Sequence, residues 1–108
     1  MHKDMRMTKK ITSAQVKLLE KLCNASAVTG DEGEVRRIVL DEVRGYFRSH
    51  KVNGEVTVDP LGNVLVTRPG IAAGKRLRVM IAAHMDEIGF MITNDDGKGF
   101  YRFENVGG

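Results

Sequence analysis

The 108-residue sequence contains no tryptophan, a single cysteine and two prolines, and its aromatic residues amount to only 6%. With one thiol, Cys23, no internal disulfide can form, and a reducing compartment, the cytoplasm, is the expected location. The first twenty-five residues lack the apolar stretch that a signal peptide needs. The longest purely apolar run, Val79 to Ala83, is far too short to span a membrane, so no membrane partner is expected. There is no Gly-x-Ser-x-Gly, no phosphate-cradling glycine loop and no Cys-x-x-Cys. Nor does any pair of carboxylates suggest glycoside hydrolysis. The scarcity of aromatic residues leaves Val, Ile, Leu, Met and Ala to build any core.

What remains is the composition of an ordinary soluble domain, 42% hydrophobic and 29% charged. The net charge of +3 comes partly from the first ten residues, where Lys3, Arg6, Lys9 and Lys10 face only Asp4. No aromatic side chains are interleaved with these cations, as a nucleic-acid-binding surface would require. Residues 1–12 are therefore read as a flexible basic terminus, and no nucleic-acid partner is expected.

Hydrophobic periodicity divides the rest. Thr12 with Gln15 forms a capping box ahead of Val16, Leu19, Leu22 and Cys23, which predicts a helix over about residues 13–25 with a buried, inert thiol. Asp31 with Glu34 gives a second capping signal. Val35, Ile38, Val39, Val43, Tyr46 and Phe47 then define one face of a helix over about residues 32–49. From Glu55 the period becomes two. Val56 and Val58, the turn Asp59-Pro60-Leu61-Gly62-Asn63, and Val64 to Val66 predict an antiparallel pair. Leu77 to Ala83 is apolar nearly throughout, which predicts a strand buried on both faces. Ile88 to Ile92 and Phe100 to Phe103, joined by the turn Asn94 to Gly99, predict a further hairpin. Two helices followed by five strands imply an α/β fold, a mixed sheet carrying helices. The terminal Asn105-Val106-Gly107-Gly108 reads as the middle of a loop, which implies a truncated piece.

The one clear candidate site lies where the apolar strand would end, at His84, Asp86 and Glu87. Strand ends are where open α/β sheets bind ligands. In extended chain His84 and Asp86 point to the same side. A histidine that ligates a metal usually gives its other ring N–H to a carboxylate, which suits Asp86 to a supporting role. Imidazole with carboxylates suits zinc first, then cobalt, nickel or manganese. With 3 histidines and 7 aspartates, His-x-Asp arises by chance in about one such chain in five, so a structural histidine stands beside the metal ligand as a reading. His2 and His50 read as solvated or structural. Asp41-Glu42 reads as an exposed helix face and Asp95-Asp96 as turn chemistry.

Four blocks carry a resemblance. Ala83-His84-Met85-Asp86-Glu87-Ile88-Gly89-Phe90-Met91 resembles the signature of the glutamyl and deblocking aminopeptidases, dinuclear metallopeptidases that are sometimes labelled endoglucanases. Gly30 to Arg36 is similar to that family's early helix start. Asp59 to Asn63 is similar to its Asp-x-x-Gly-Asn turn, and Phe103 to Gly108 to the segment leading into an inserted second domain. The resemblance implies a zinc-aminopeptidase-like fold, with a mixed, largely parallel sheet flanked by helices. On it, residues 13–108 form the N-terminal part of the catalytic domain. It also implies two divalent ions (zinc or cobalt), peptide substrates and homo-oligomeric assembly. His84 corresponds to a metal ligand and Asp86 to the catalytic-site acid that supports it. The other ligands and the general base would lie after residue 108, so the isolated chain is expected to be inactive and to bind metal weakly at most. The alternatives are a non-enzymatic α/β binding or scaffold module, and a related dinuclear exopeptidase or deacylase.

Overall fold

The computed structural model describes residues 10–108, so the basic terminus and His2 lie largely outside the described residues. Helix α1 runs Ser13–Asn24 and starts as the sequence predicts. The Thr12 backbone N–H donates to Gln15 Oε1 at 2.8 Å, and the Gln15 N–H donates to Thr12 Oγ1 at 3.2 Å. Two otherwise orphaned donors are thereby satisfied. Helix α2, Gly33–Ser49, has no side-chain cap on its first turn. The expected Asp31 cap does not form, because its partner is drawn elsewhere: Glu34 Oε2 accepts the Ser26 N–H at 3.0 Å. The Asp31 N–H closes a turn on the Val28 carbonyl at 2.7 Å.

The core is small and lies where the α1–α2 connection meets α2. Ala25, Ala27, Val35 and Ile38 are buried, with Leu18, Leu22, Val39 and Met85 packed around them. Cys23 falls outside this contact. Its thiol is exposed, which corrects the expectation of a buried one.

Strands β1 (Glu55–Val58) and β2 (Val64–Thr67) pair antiparallel, with Val58 opposite Val64. The turn between them is organised by one carboxylate. Asp59 Oδ1 accepts the N–H groups of Leu61 and Asn63 at 3.0 and 2.9 Å, and Oδ2 accepts the Asn63 side-chain amide at 2.8 Å. Gly62 adopts φ +88°, a left-handed conformation open to glycine, and its carbonyl accepts from Arg36 Nη1 at 3.0 Å. The turn is thus fastened to α2. The Asn63 side chain, followed by the backbone N–H groups, holds the Asp59 carboxyl below its ordinary range. A depressed folded pKa contributes stability that is complete above the unfolded value and lost as pH falls through the folded one. The protection of the Leu61 and Asn63 amides, relative to their intrinsic exchange rates, is therefore expected to fall on acidification below the ordinary carboxylate range. In Asp59→Ala the same amides should lack protection at every pH; retained protection in that variant would show that the carboxylate does not hold the turn.

Strands β3 (Gly89–Asp95) and β4 (Tyr101–Val106) form the second antiparallel hairpin, irregular between Ile92 and Asn94. Asp96 Oδ1 accepts the N–H groups of Lys98 and Phe100, and Phe90 meets Phe103 edge to face at 4.8 Å.

The sheet differs from expectation in two ways. Residues 77–83 form no strand, and their side chains stand in solvent, with Leu77 90% and Ile81 93% exposed. The two hairpins are separate two-stranded sheets, where a mixed and largely parallel sheet was expected. Among the described residues the one parallel pairing outside the strands is the bridge between Val28 and Glu87. The physical reason is pairing. Each hairpin closes on itself, and a segment without a strand alongside has no partner for its backbone donors and acceptors. The radius of gyration, 19.9 Å, reflects this openness, since a compact domain of this length has about 13 Å. No helix among the described residues is long and apolar enough to cross a membrane.

Candidate functional site

The bridge between Val28 and Glu87 builds the site, because it lays the loop after α1 against the segment that precedes β3. The Glu87 N–H donates to the Ala27 carbonyl at 2.7 Å, and Glu87 Oε1 accepts the Ala27 N–H at 3.3 Å. Glu87 thus grips one residue through both backbone and side chain. Gly89 follows where Val28 comes closest. A Cβ there would lie 2.7 Å from Val28 Cγ1 and nearer still to Cγ2, so only glycine permits the approach. Met85 turns inward to the core. His84 and Asp86, the alternate positions, turn outward.

His84 Nδ1 lies 3.0 Å from the Asp86 carbonyl and 3.1 Å from Asp86 Oδ1. Both partners can only accept, so in the neutral ring these contacts favour the proton on Nδ1 and leave the lone pair on Nε2. The ring is 86% exposed, which leaves Nε2 facing solvent. The other oxygen of the carboxylate, Asp86 Oδ2, accepts from the Thr29 hydroxyl at 2.8 Å. The Thr29 hydroxyl, and after it the His84 ring, hold the Asp86 carboxyl below its ordinary range. Glu32 Oε1 accepts the Gly30 N–H at 2.6 Å, which lowers the Glu32 carboxyl in the same way. Asp86 and Glu32 stand close enough to each other for their negative charges to repel, which opposes the lowering at Glu32.

The structure pairs His84 with Asp86, while the Glu87 side chain is bonded to Ala27. It adds Thr29, which the sequence analysis does not single out. No periodicity could have found it, because the contact joins residues 57 apart in sequence. His50 is elsewhere, stacked on Tyr46 at 4.1 Å with Nδ1 at 3.1 Å from the Tyr46 carbonyl at the end of α2, which is a structural setting. Asp41-Glu42 is exposed on α2, and Asp95-Asp96 serves its turn. Among the described residues no three His, Cys, Asp or Glu side chains gather into a metal-binding group. The donor set still fits one corner of a metal centre: an imidazole nitrogen open to solvent, with its opposite N–H taken by a carboxylate.

Comparison with known proteins bears on the same segment. Residues 62–108 match the M42 glutamyl aminopeptidase family. The chain is 45% identical over 93 residues to the provisionally named aminopeptidase FrvX of Escherichia coli, covering 86% of this chain and 23% of that protein. It is 41% identical over 91 residues to a provisionally named aminopeptidase of Acetivibrio thermocellus, covering 84% and 24% respectively. With the lysyl aminopeptidase of Pyrococcus furiosus it shares 36% identity over 92 residues, again 84% of this chain and 24% of the other. The chain thus spans about a quarter of the length of the curated relatives it matches. No solved structure matches it significantly. Over residues 62–108, and over most of its length against these relatives, the sequence is thus similar to M42 aminopeptidases.

Proposed function

We propose that this chain is the N-terminal part of a metal-dependent aminopeptidase, in which His84 is a metal ligand and Asp86 fixes its ring. The observation that carries the reading is the pairing of His84 Nδ1 with Asp86 at 3.1 Å, which presents Nε2 as a donor. Two divalent ions, zinc or cobalt, belong to the reading through the family resemblance. Bound there, such ions supply an activated water and polarise the scissile carbonyl of a peptide. This chain's own residues hold the imidazole in its ligating tautomer, and Glu87 with Gly89 set the backbone that carries it. A cytoplasmic, homo-oligomeric full-length protein acting on peptide N-termini completes the proposal.

A catalytic zinc needs about three protein ligands, and the described residues offer one with its support. The isolated 108 residues are accordingly expected to release no N-terminal residues from peptides. Titrating Co²⁺ into the labelled chain should broaden the ring signals of His84 well before those of His50. Chelator-sensitive peptidase activity from the isolated chain would overturn its expected inactivity, and equal broadening of the two histidines would remove His84 as a ligand.

A further inference from the structure

We propose that Thr29 is a positioning residue for His84, acting through Asp86; the importance of that position rests on reading His84 as a metal ligand. His84 is not held by packing, and Asp86 is covered only in part. The His84 side chain is 86% exposed and that of Asp86 36% exposed, and both sit on chain that belongs to no strand. Their orientation therefore depends on hydrogen bonds. The terminal torsion of an aspartate is broad and roughly two-fold, so a carboxylate tied through one oxygen still swings. Here both oxygens are tied, Oδ1 to the imidazole and Oδ2 to the Thr29 hydroxyl at 2.8 Å. Two points of attachment fix the plane of the carboxylate where one would not.

Thr29 is itself well anchored. Its neighbour Val28 is paired with Glu87, and the Val28 carbonyl accepts the Asp31 N–H at 2.7 Å. Gly30 follows at φ +92°, which lets the chain reverse there. On the far side the backbone of Gly107 runs close, such that a Cβ on it would lie 3.3 Å from Thr29 Oγ1. A threonine hydroxyl has a single proton to donate. Glu32, the other carboxylate of this loop, has Oε1 on the Gly30 N–H, while the Thr29 hydroxyl bonds to Asp86.

The consequence reaches the metal-facing nitrogen. While Asp86 stays in place, the proton remains on Nδ1 and Nε2 keeps its lone pair. If the carboxylate swings towards water, the Asp86 carbonyl at 3.0 Å is left as the one acceptor for that proton, so the Nε2–H tautomer, which cannot ligate through Nε2, gains population. The apparent affinity of any ligand falls with the fraction of the competent state. Thr29 thus acts on metal affinity without touching the metal.

The test compares Thr29→Val, which keeps the shape and removes the hydroxyl, with Thr29→Ser, which keeps the hydroxyl. Long-range proton–nitrogen spectra of the labelled 108-residue chain, at one pH where the imidazoles are neutral, report the tautomer of His84 directly, with His50 as reference. Thr29→Val is expected to lower the ratio of Nδ1–H to Nε2–H at His84 roughly fivefold, the scale of one hydrogen bond. Thr29→Ser should restore it, with the backbone amides of Val28 and Glu87 unmoved in both. An unchanged ratio in Thr29→Val overturns the proposal. So does a change accompanied by loss of the Val28 and Glu87 amide positions, which would make Thr29 a fold residue only. Added Zn²⁺ separates the two ideas. It should shift the His84 ring nitrogens, and more weakly in Thr29→Val. If zinc leaves His84 untouched while the tautomer still responds to Thr29→Val, the metal reading fails and the positioning role stands.

Discussion

Replacing His84 with alanine in the full-length polypeptide is expected to lower kcat/KM for release of N-terminal residues by more than about 100-fold. The argument is one of rank. Loss of a group that only orients a ligand typically costs about 10–100-fold in metal affinity or activity, and loss of the ligand itself exceeds that. Asp86→Asn should fall within the lower range, because the amide keeps the shape while giving up the charge that His84 and Thr29 share. Raised metal concentration should partly rescue Asp86→Asn and leave His84→Ala inactive. A His84→Ala enzyme that retains most of its activity and its metal content would remove His84 from the centre.

The second large effect is structural and concerns Gly89. In Gly89→Val the new side chain would occupy the space now filled by the Val28 methyl groups, and a contact below 3 Å forces Val28 or the chain around it to shift. Overpacking of this kind costs about 3 kcal/mol. That is a large share of the roughly 5 kcal/mol that the lower end of ordinary stability gives a chain of this length. The damage should be local. Amide exchange at Val28, Thr29 and Glu87 should become fast, while the β1–β2 hairpin, held by Asp59 and Arg36, stays protected. Pairing Gly89→Ala with Val28→Ala should recover part of the loss, as coupled neighbours do. Full protection of Glu87 in Gly89→Val would contradict the close approach.

Much of this architecture is readable in the sequence because it depends on neighbours along the chain. The Thr12–Gln15 capping box forms as read, and α1 and α2 lie within a residue or so of the expected spans. Asp59 to Asn63 makes the turn its composition demands, since Asp, Gly and Asn supply the local hydrogen bonds and the positive φ. Both hairpins share this local character. Residues 77–83 do not. A continuous apolar run signals burial on two sides, but burial is a property of what lies alongside, and in this chain nothing does. Cys23 fails for a related reason: helical spacing marks a face without saying how far the neighbouring element extends along it. The site is legible in part. His84 and Asp86 share a side by the two-residue repeat of extended chain, whereas the Thr29 contact is a product of the fold. Asp31 shows the opposite failure, a local capping signal overridden when Glu34 found the Ser26 amide.

The bridge between Val28 and Glu87 also carries a kinetic meaning. The helices and the two hairpins close over short loops, whereas this contact closes one of about sixty residues. The entropic toll of closure rises only as the logarithm of loop length, but it precedes any reward from the contacts that the closure brings. The His84–Asp86 pair is therefore expected to be among the last features acquired during folding, after both hairpins and the first helix turns. A chain caught before that step would show nearly all of its secondary structure and still present His84 in no defined direction.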